Sequence, residues 1–376
     1  MNILYTLAES SISGANKSMC ILAEYMLKKN NNVIVILPKH GDIEKELNDR
    51  KIKYYIVKSY QWIRSLDDNT LITTIKLFLK KVLNVVSIIK IKKIIKQNNI
   101  NILHNNSSSS YVGVVAAKKS NIKIVWHFRE FLEEDHGLKI SNIFNHKKII
   151  NSSDKMIAIS KCIYDKFSKI YDKNKMVLIY NGINTQDFQY VKRLFNNEEI
   201  TISIIGRVSE GKGQFEFVKA IDMVNKKINN INAQIIGYND NEYADKIRKY
   251  IENKKINNIN FIEPTKDIIK YYKNSDIIVV SSRCEAFGRV TIEGMLTSNL
   301  VIGADTGGTK ELIDDKKTGL LYESGNYVDL ADKIIYSIHN KEKMNGVVEK
   351  ARTNSIKNFN SELNAKNIEK IYKSLC

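Results

Sequence analysis

The sequence is poor in several things that usually narrow a function. It has two prolines, Pro38 and Pro264. Its four cysteines (Cys20, Cys162, Cys284, Cys376) are scattered and form no C-x-x-C pair. That spacing indicates neither a zinc site nor a disulfide framework, and it fits a reducing cytoplasm. No D-x-D occurs, so a dedicated carboxylate pair for a divalent cation on a diphosphate is not evident. No segment approaches the ~20 apolar residues of a membrane span. The first residues, MNILYTLAES, lack the basic start and cleavage site of a signal peptide and are expected to form a strand. Acids are outnumbered: 59 Lys and Arg against 41 Asp and Glu leave a net charge of +18. Such a field favours phosphate-bearing partners or anionic membrane surfaces. Zinc-finger spacing and aromatic-basic RNP motifs are absent, which argues against nucleic acid as a partner.

What is present is alternation. Strand-length apolar runs begin near residues 2, 32, 100, 123, 155 and 176. A second series begins near 201, 233, 259, 276 and 300. Helical patterns such as 19–29, 215–224 and 362–375 lie between or after them. Buried strands alternating with helices mean parallel sheets covered by helices. The polar stretch 189–199 interrupts the series. The expected plan is α/β: a first doubly wound domain, 1–190, and a second, 200–355. Ligands should then bind on strand-to-helix loops.

Four such loops carry candidate chemistry. In SISGANKSM (11–19), Gly14 precedes a helix start and permits close backbone approach, although the G-x-G-x-x-G fingerprint is missing. In IIGRVSEGKGQFEF (204–217), Gly206 is followed by Arg207 and Lys212, a fork and a point charge suited to a diphosphate. In VWHFREFLEEDHGL (125–138), His127 ends a strand ahead of Arg129 and Glu130. In SSRCEAFGRVTIEG (281–294), Glu285 and Glu293 flank a helix start at Gly288. On one continuous helix these glutamates would be about 12 Å apart. That is too far for an acid–nucleophile pair, which needs ~5–5.5 Å. The spacing suits two glutamates gripping different parts of a long ligand, with N–H groups of Val290 and Thr291 aimed at negative charge between them.

Residues 71–97 hold seven lysines and no acid. Thr73, Lys76, Lys80, Asn84 and Ser87 share one helical face, against Leu, Ile, Phe and Val. Two readings stand for this segment. It is a helix lying on an anionic membrane, or a pair of helices covering the sheet with their lysines in water. The second is favoured for 85–97, where a strand follows directly.

The pair Glu285/Glu293, followed by TGGTKELIDDKKTGLLY (306–322), resembles the donor site of retaining glycosyltransferase family 4. NGINTQDF (181–188), GRVSEGKG and SGANKSM are similar to further elements of that family. The resemblance implies the GT-B fold, with two Rossmann-like domains and a C-terminal helix (356–376) returning to the first. It implies that Arg207 and Lys212 bind the nucleotide diphosphate, with Gly14 and Gly206 allowing close approach. Glu285 would contact donor sugar hydroxyls, helped by N–H groups of Phe287 and Gly288. Glu293 would bind ribose, and His127 would lie by the anomeric centre. The implied activity is metal-independent retaining hexosyl transfer, without cofactor, from a UDP-sugar. The acceptor would be a saccharide or lipid-linked saccharide of surface polysaccharide synthesis, such as capsule. The implied location is the cytoplasm, peripheral on the inner face of the plasma membrane. The rivals are a non-catalytic partner subunit and a sugar-nucleotide epimerase on the same plan. Oligomeric state is not readable.

Overall fold

The computed structural model describes residues 1–188 and 194–376. These divide into two compact units, Met1–Gly182 with Ser361–Cys376, and Ile183–Asn360. The division falls ahead of the polar stretch where the sequence suggested it, and residues 189–193 of that stretch lie outside the described residues.

In chain order the first unit contains β1 (Asn2–Thr6), α1 (Gly14–Lys28), β2 (Asn32–Leu37), α2 (Ile43–Asp49), β3 (Lys53–Ile56), β4 (Ile63–Ser65) and α3 (Leu71–Gln97). It continues with β5 (Ile102–Asn105), α4 (Val112–Lys119), β6 (Lys123–Phe128), α5 (Glu133–His136), β7 (Leu138–Ile140), α6 (His146–Ile150), β8 (Lys155–Ala158), α7 (Lys161–Phe167) and β9 (Met176–Leu178). Seven strands form a parallel sheet in the order β3-β2-β1-β5-β6-β8-β9. β4 and β7 pair as a separate antiparallel ribbon. The central strands are mostly apolar because helices cover both faces of such a sheet, with His104 on β5 and His127 on β6 among the buried polar exceptions. Ile3, Tyr5, Val33, Val35, Ile102, Val125 and Ile157 meet Met19, Leu22 and Met26 of α1 in one core.

The second unit contains β10 (Ile200–Ile205), α8 (Gln214–Val224), β11 (Ile231–Ile236), α9 (Glu242–Lys254), β12 (Ile259–Ile262), α10 (Ile268–Asn274), β13 (Ile277–Val280) and α11 (Arg289–Leu296). β14 (Leu300–Ala304), α12 (Gly307–Leu312), β15 (Leu320–Tyr322), α13 (Tyr327–His339) and α14 (Lys341–Asn358) complete it. Its six strands are parallel in the order β12-β11-β10-β13-β14-β15. In both sheets the order reverses beside the first strand, at β1/β5 and at β10/β13. The crevice beyond the carboxyl ends at such a reversal is where doubly wound sheets bind ligands.

The last helix, α15 (Ser361–Leu375), belongs to the first unit, where it packs on α1. Ala365, Ile368 and Tyr372 are its buried stripe, at the i, i+3, i+7 spacing of an amphipathic helix.

One sequence reading needs correction. Residues 71–97 form a single helix rather than a pair, and although Lys76 lies in water, the Asn84 and Ser87 part of the same polar face does not. Asn84 and Ser87 are buried, while the Leu, Ile, Phe and Val side chains opposite them are exposed. The cause is specific hydrogen bonding. The Asn84 amide donates to the Tyr60 carbonyl (2.8 Å) and accepts from the Tyr60 N–H (2.9 Å), and the Ser87 hydroxyl donates to the Lys58 carbonyl (2.5 Å).

Candidate active site

In the second unit the two loops at the strand-order reversal are sewn together by backbone contacts. After β10 the chain turns at Gly206 (φ +146°), passes an exposed Arg207 and makes one short turn over Glu210–Lys212. It leaves that turn through Gly213 at φ +71°. The Ser281 hydroxyl, just beyond β13, lies 3.1 Å from the Lys212 carbonyl and 3.0 Å from that of Gly213. The Arg283 N–H donates to the Gly211 carbonyl at 2.9 Å. This stitching brings Lys212 against Glu285. The Lys212 ammonium donates to Glu285 Oε1, which also accepts from the Ser282 hydroxyl at 2.6 Å.

The start of α12 presses on the same loop. The Gly308 N–H donates to the Glu285 carbonyl at 2.7 Å. A Cβ at Gly308 would stand 2.5 Å from the Phe287 carbonyl oxygen, and one at Gly307 would stand 2.8 Å from that of Glu285. Paired glycines are therefore a packing requirement here. Phe287 is buried, edge-on to Phe359 at 6.1 Å. Gly288 (φ +98°) is the N-cap of α11.

Glu293 lies one turn into α11. Its Oε1 accepts from Arg289 (3.0 Å) and its Oε2 from the buried Tyr272 hydroxyl (2.9 Å). Burial, and then the Glu293 carboxylate, push the Tyr272 hydroxyl well above its usual range, so it stays a proton donor. Of the two N–H groups expected to face negative charge, that of Thr291 is engaged: it donates to the Gly288 carbonyl at 3.1 Å. A short first turn after a glycine cap consumes that donor.

In the first unit, His127 lies on β6, fully buried, and takes part in a chain of hydrogen bonds. Its Nδ1 is 3.0 Å from His104 Nε2, and His104 Nδ1 is 2.6 Å from the hydroxyl of Tyr372 on α15. That hydroxyl is 3.2 Å from the Tyr5 hydroxyl. His127 Nε2 is buried without a hydrogen-bond partner among the described residues. Burial, reinforced by nearby Arg129, holds both imidazoles well below their usual pKa, so both are neutral. Two proton orders satisfy the chain. If Tyr372 donates to His104, His127 Nε2 carries the proton; if His104 donates to Tyr372, His127 Nε2 carries the lone pair.

Gly14 is the first residue of α1, behind a Ser13 N-cap. The Asn106 amide reaches the Ala15 carbonyl (3.3 Å) and accepts from Arg129 Nε (2.6 Å). Arg129 also donates to Asn181 at 2.7 Å. The glycine loop, the arginine after His127 and the NGIN element are thus parts of one network.

Sequence reasoning named Glu130 beside His127 but gave it no role; the fold buries it. Its Oε1 accepts from the Ser107 hydroxyl and the Ser108 N–H, both at 2.6 Å. Burial nevertheless raises its pKa from 4.5 to about 7, with Asp135 adding to the rise and the hydrogen bonds and Arg129 opposing it. The folded state therefore holds this proton more tightly than the unfolded chain. Its contribution to stability is full below about pH 4.5, falls as pH rises to about 7, and amounts to about 3 kcal/mol over that window. Glu130→Gln keeps an acceptor for both serines and removes the titration. Thermal unfolding at mildly acidic and mildly alkaline pH should show the variant gaining on wild type as pH rises. A parallel loss in both proteins would refute this account.

Two family models match in tandem: Glycosyltransferase Family 4 over residues 12–187, and Glycosyl transferases group 1 over residues 185–354. The chain carries both glycosyltransferase domains. It is 28% identical over 292 residues to an uncharacterised glycosyltransferase of Methanocaldococcus jannaschii, covering 76% of this chain and 78% of that one. It is 25% identical over 257 residues to the capsular polysaccharide biosynthesis glycosyltransferase CapM of Staphylococcus aureus, covering 64% and 67%. Among solved structures, a glycosyltransferase from Rickettsia africae superposes with a TM-score of 0.82 at 25% identity, over 100% of this chain and 98% of that one. Anabaena HepE, crystallised with UDP, gives a TM-score of 0.84 at 18% identity over the full length of both chains. The fold is GT-B.

Proposed function

We propose that this chain is a retaining glycosyltransferase that moves a hexose from a UDP-sugar to a saccharide or lipid-linked saccharide in surface polysaccharide synthesis. The observation that carries the reading is the Lys212–Glu285 pair, held at the strand-order reversal of the second unit by backbone stitching. A glycosyl donor presents hydroxyls beside a diphosphate. The carboxylate of Glu285 suits the hydroxyls, and the ammonium of Lys212 suits the phosphate oxygens once it exchanges partners. The barrier is departure of the diphosphate from an oxocarbenium-like centre, so fixed cations are the principal catalytic device. Arg207, exposed on the same loop, supplies a second cation. These two charges serve the role a metal would otherwise fill. Gly206, Phe287, Gly288 and Val290 provide close backbone approach, and Glu293 takes the ribose. The resemblance assigns His127 a place by the anomeric centre; its Nε2 is buried in the first unit, so that role requires the nitrogen to become accessible. The acceptor hydroxyl attacks from the leaving-group face and passes its proton to the departing phosphate, so no covalent nucleophile is required.

The UDP preference is supported by the UDP complex of HepE. The acceptor class is supported by CapM and by the poly(ribitol-phosphate) N-acetylglucosaminyltransferase of S. aureus, which is 26% identical over 58% of this chain. The test is a panel of UDP-sugars scored by thermal shift, followed by UDP release with and without saccharide acceptors. One donor should stabilise the protein by mass action and turn over in an acceptor-dependent way to an α-linked product from an α-donor. An epimerised donor without transfer would replace this reading, as would stabilisation without turnover on any acceptor.

A further inference from the structure

Helix α3 is inverted relative to an ordinary surface helix. Leu71, Ile75, Phe78, Val82, Val86 and Ile89 lie on its outward side, every one more than half exposed, and Leu71 reaches 74%. At 1.5 Å per residue this stripe runs about 27 Å. The opposite side, with Leu77, Asn84, Ser87 and Ile91, is buried in the first unit. The helix cannot roll to hide the stripe, because that would leave the Asn84 amide and the Tyr60 peptide groups unpaired. A contiguous apolar face of this length on a soluble chain marks an interaction surface.

The charges choose the occupant. α3 carries seven lysines and no acid. At 100° per residue, Lys76 and Lys90 fall along one margin of the stripe, and Lys81 and Lys92 along the other. A second copy docked through the same face would set cation rows against cation rows. An apolar stripe edged by lysines instead matches a bilayer with anionic headgroups: the acyl boundary takes the Leu, Ile, Phe and Val side chains, and the lysines reach the phosphates. No described helix is long and apolar enough to cross a membrane, so the geometry is that of a helix lying on the surface. We propose that α3 is a built-in membrane-docking helix that binds anionic bilayers through residues 71–89, whether or not the chain transfers sugar.

The experiment is vesicle flotation of the intact chain without donor. One vesicle population is phosphatidylcholine alone; the other is equal parts phosphatidylcholine and phosphatidylglycerol. Wild type should partition onto the mixed vesicles at least roughly tenfold better than onto the neutral ones. The double variant Phe78→Glu/Val82→Glu should lose at least that factor with unchanged circular dichroism and melting, since both positions are already in water. Reversing one margin with Lys76→Glu/Lys90→Glu should weaken the preference for phosphatidylglycerol severalfold. Failure of wild type to float with either vesicle overturns the proposal, as does undiminished binding by the Phe78/Val82 variant. A solution dimer that this variant dissociates would assign the face to a second copy and also overturn it. None of these outcomes bears on donor turnover, which is measured separately.

Discussion

Lys212→Ala should lower kcat for transfer roughly 10²–10³-fold, the usual cost of removing one preorganised group that stabilises developing charge. The argument rests on where the ammonium sits. Its loop is fixed by Ser281, whose hydroxyl lies against the Lys212 and Gly213 carbonyls, so once the ammonium has exchanged Glu285 for the phosphate it needs little further reorganisation as the diphosphate departs. Folding should be nearly unaffected, because the Lys212 side chain is 39% exposed and Glu285 keeps its hydrogen bond from Ser282. Glu285→Ala should behave differently. It removes contacts made to the bound sugar as well as in the transition state, so KM should rise along with the fall in kcat. Initial rates against donor concentration separate the two. If Lys212→Ala retains activity within a few-fold of wild type, the cation is not used and the site assignment fails.

The second large effect is on stability. Gly213→Ala should destabilise the second unit by about 3–5 kcal/mol, since it combines positive-φ strain with a backbone clash. The added Cβ would stand 2.2 Å from the Ser281 carbonyl oxygen, at a residue whose φ is +71°. A flexible side chain could retreat from such a contact; a carbonyl fixed at the end of a central strand cannot. For a unit of this size the loss corresponds to a fall in Tm of roughly 10 °C. Gly211→Ala is the matched control. It lies in the same short turn, yet a Cβ there meets nothing within 4 Å. Calorimetry should therefore find Gly211→Ala near wild type and Gly213→Ala far below it. Equal melting of the two would show that the stitching at Ser281 is not rigid.

The interior strands of both sheets were legible because burial on two faces leaves mostly apolar residues to read. β3, half-exposed as KYYI, and the three-residue strands β4, β7 and β15 escaped because edges and short ribbons carry no such run. Periodicity showed that α3 is two-faced but not which face the fold would take. The ordinary expectation puts polar side chains in water; Lys76, Lys81 and Lys90 are there, but Asn84 and Ser87 are not, because they have backbone partners in residues 58–60. Lys212 and Glu285 were legible as motif members, and the structure joins them. Glu130 was not, since what buries it is the loop after β5, far away in sequence. The same holds for Tyr372. Nothing in the sequence of the last helix announces that its hydroxyl meets His104.

The placement of α15 has a consequence for the order in which the molecule can be assembled. Residues 183–360 form one uninterrupted unit, whereas the other unit is built from segments on both sides of it. During synthesis the second sheet can close as soon as it emerges. The first must wait for residues 361–376, and at about 5–20 residues per second that delay is on the order of ten seconds or more. Through that interval Tyr5 and His104 lack the tyrosine that seals them, and α1 lacks the helix that covers it. The nascent first unit is thus the aggregation-exposed half of the chain. Its final step is the docking of one short amphipathic helix, which completes the core and brings the Tyr372 hydroxyl to His104.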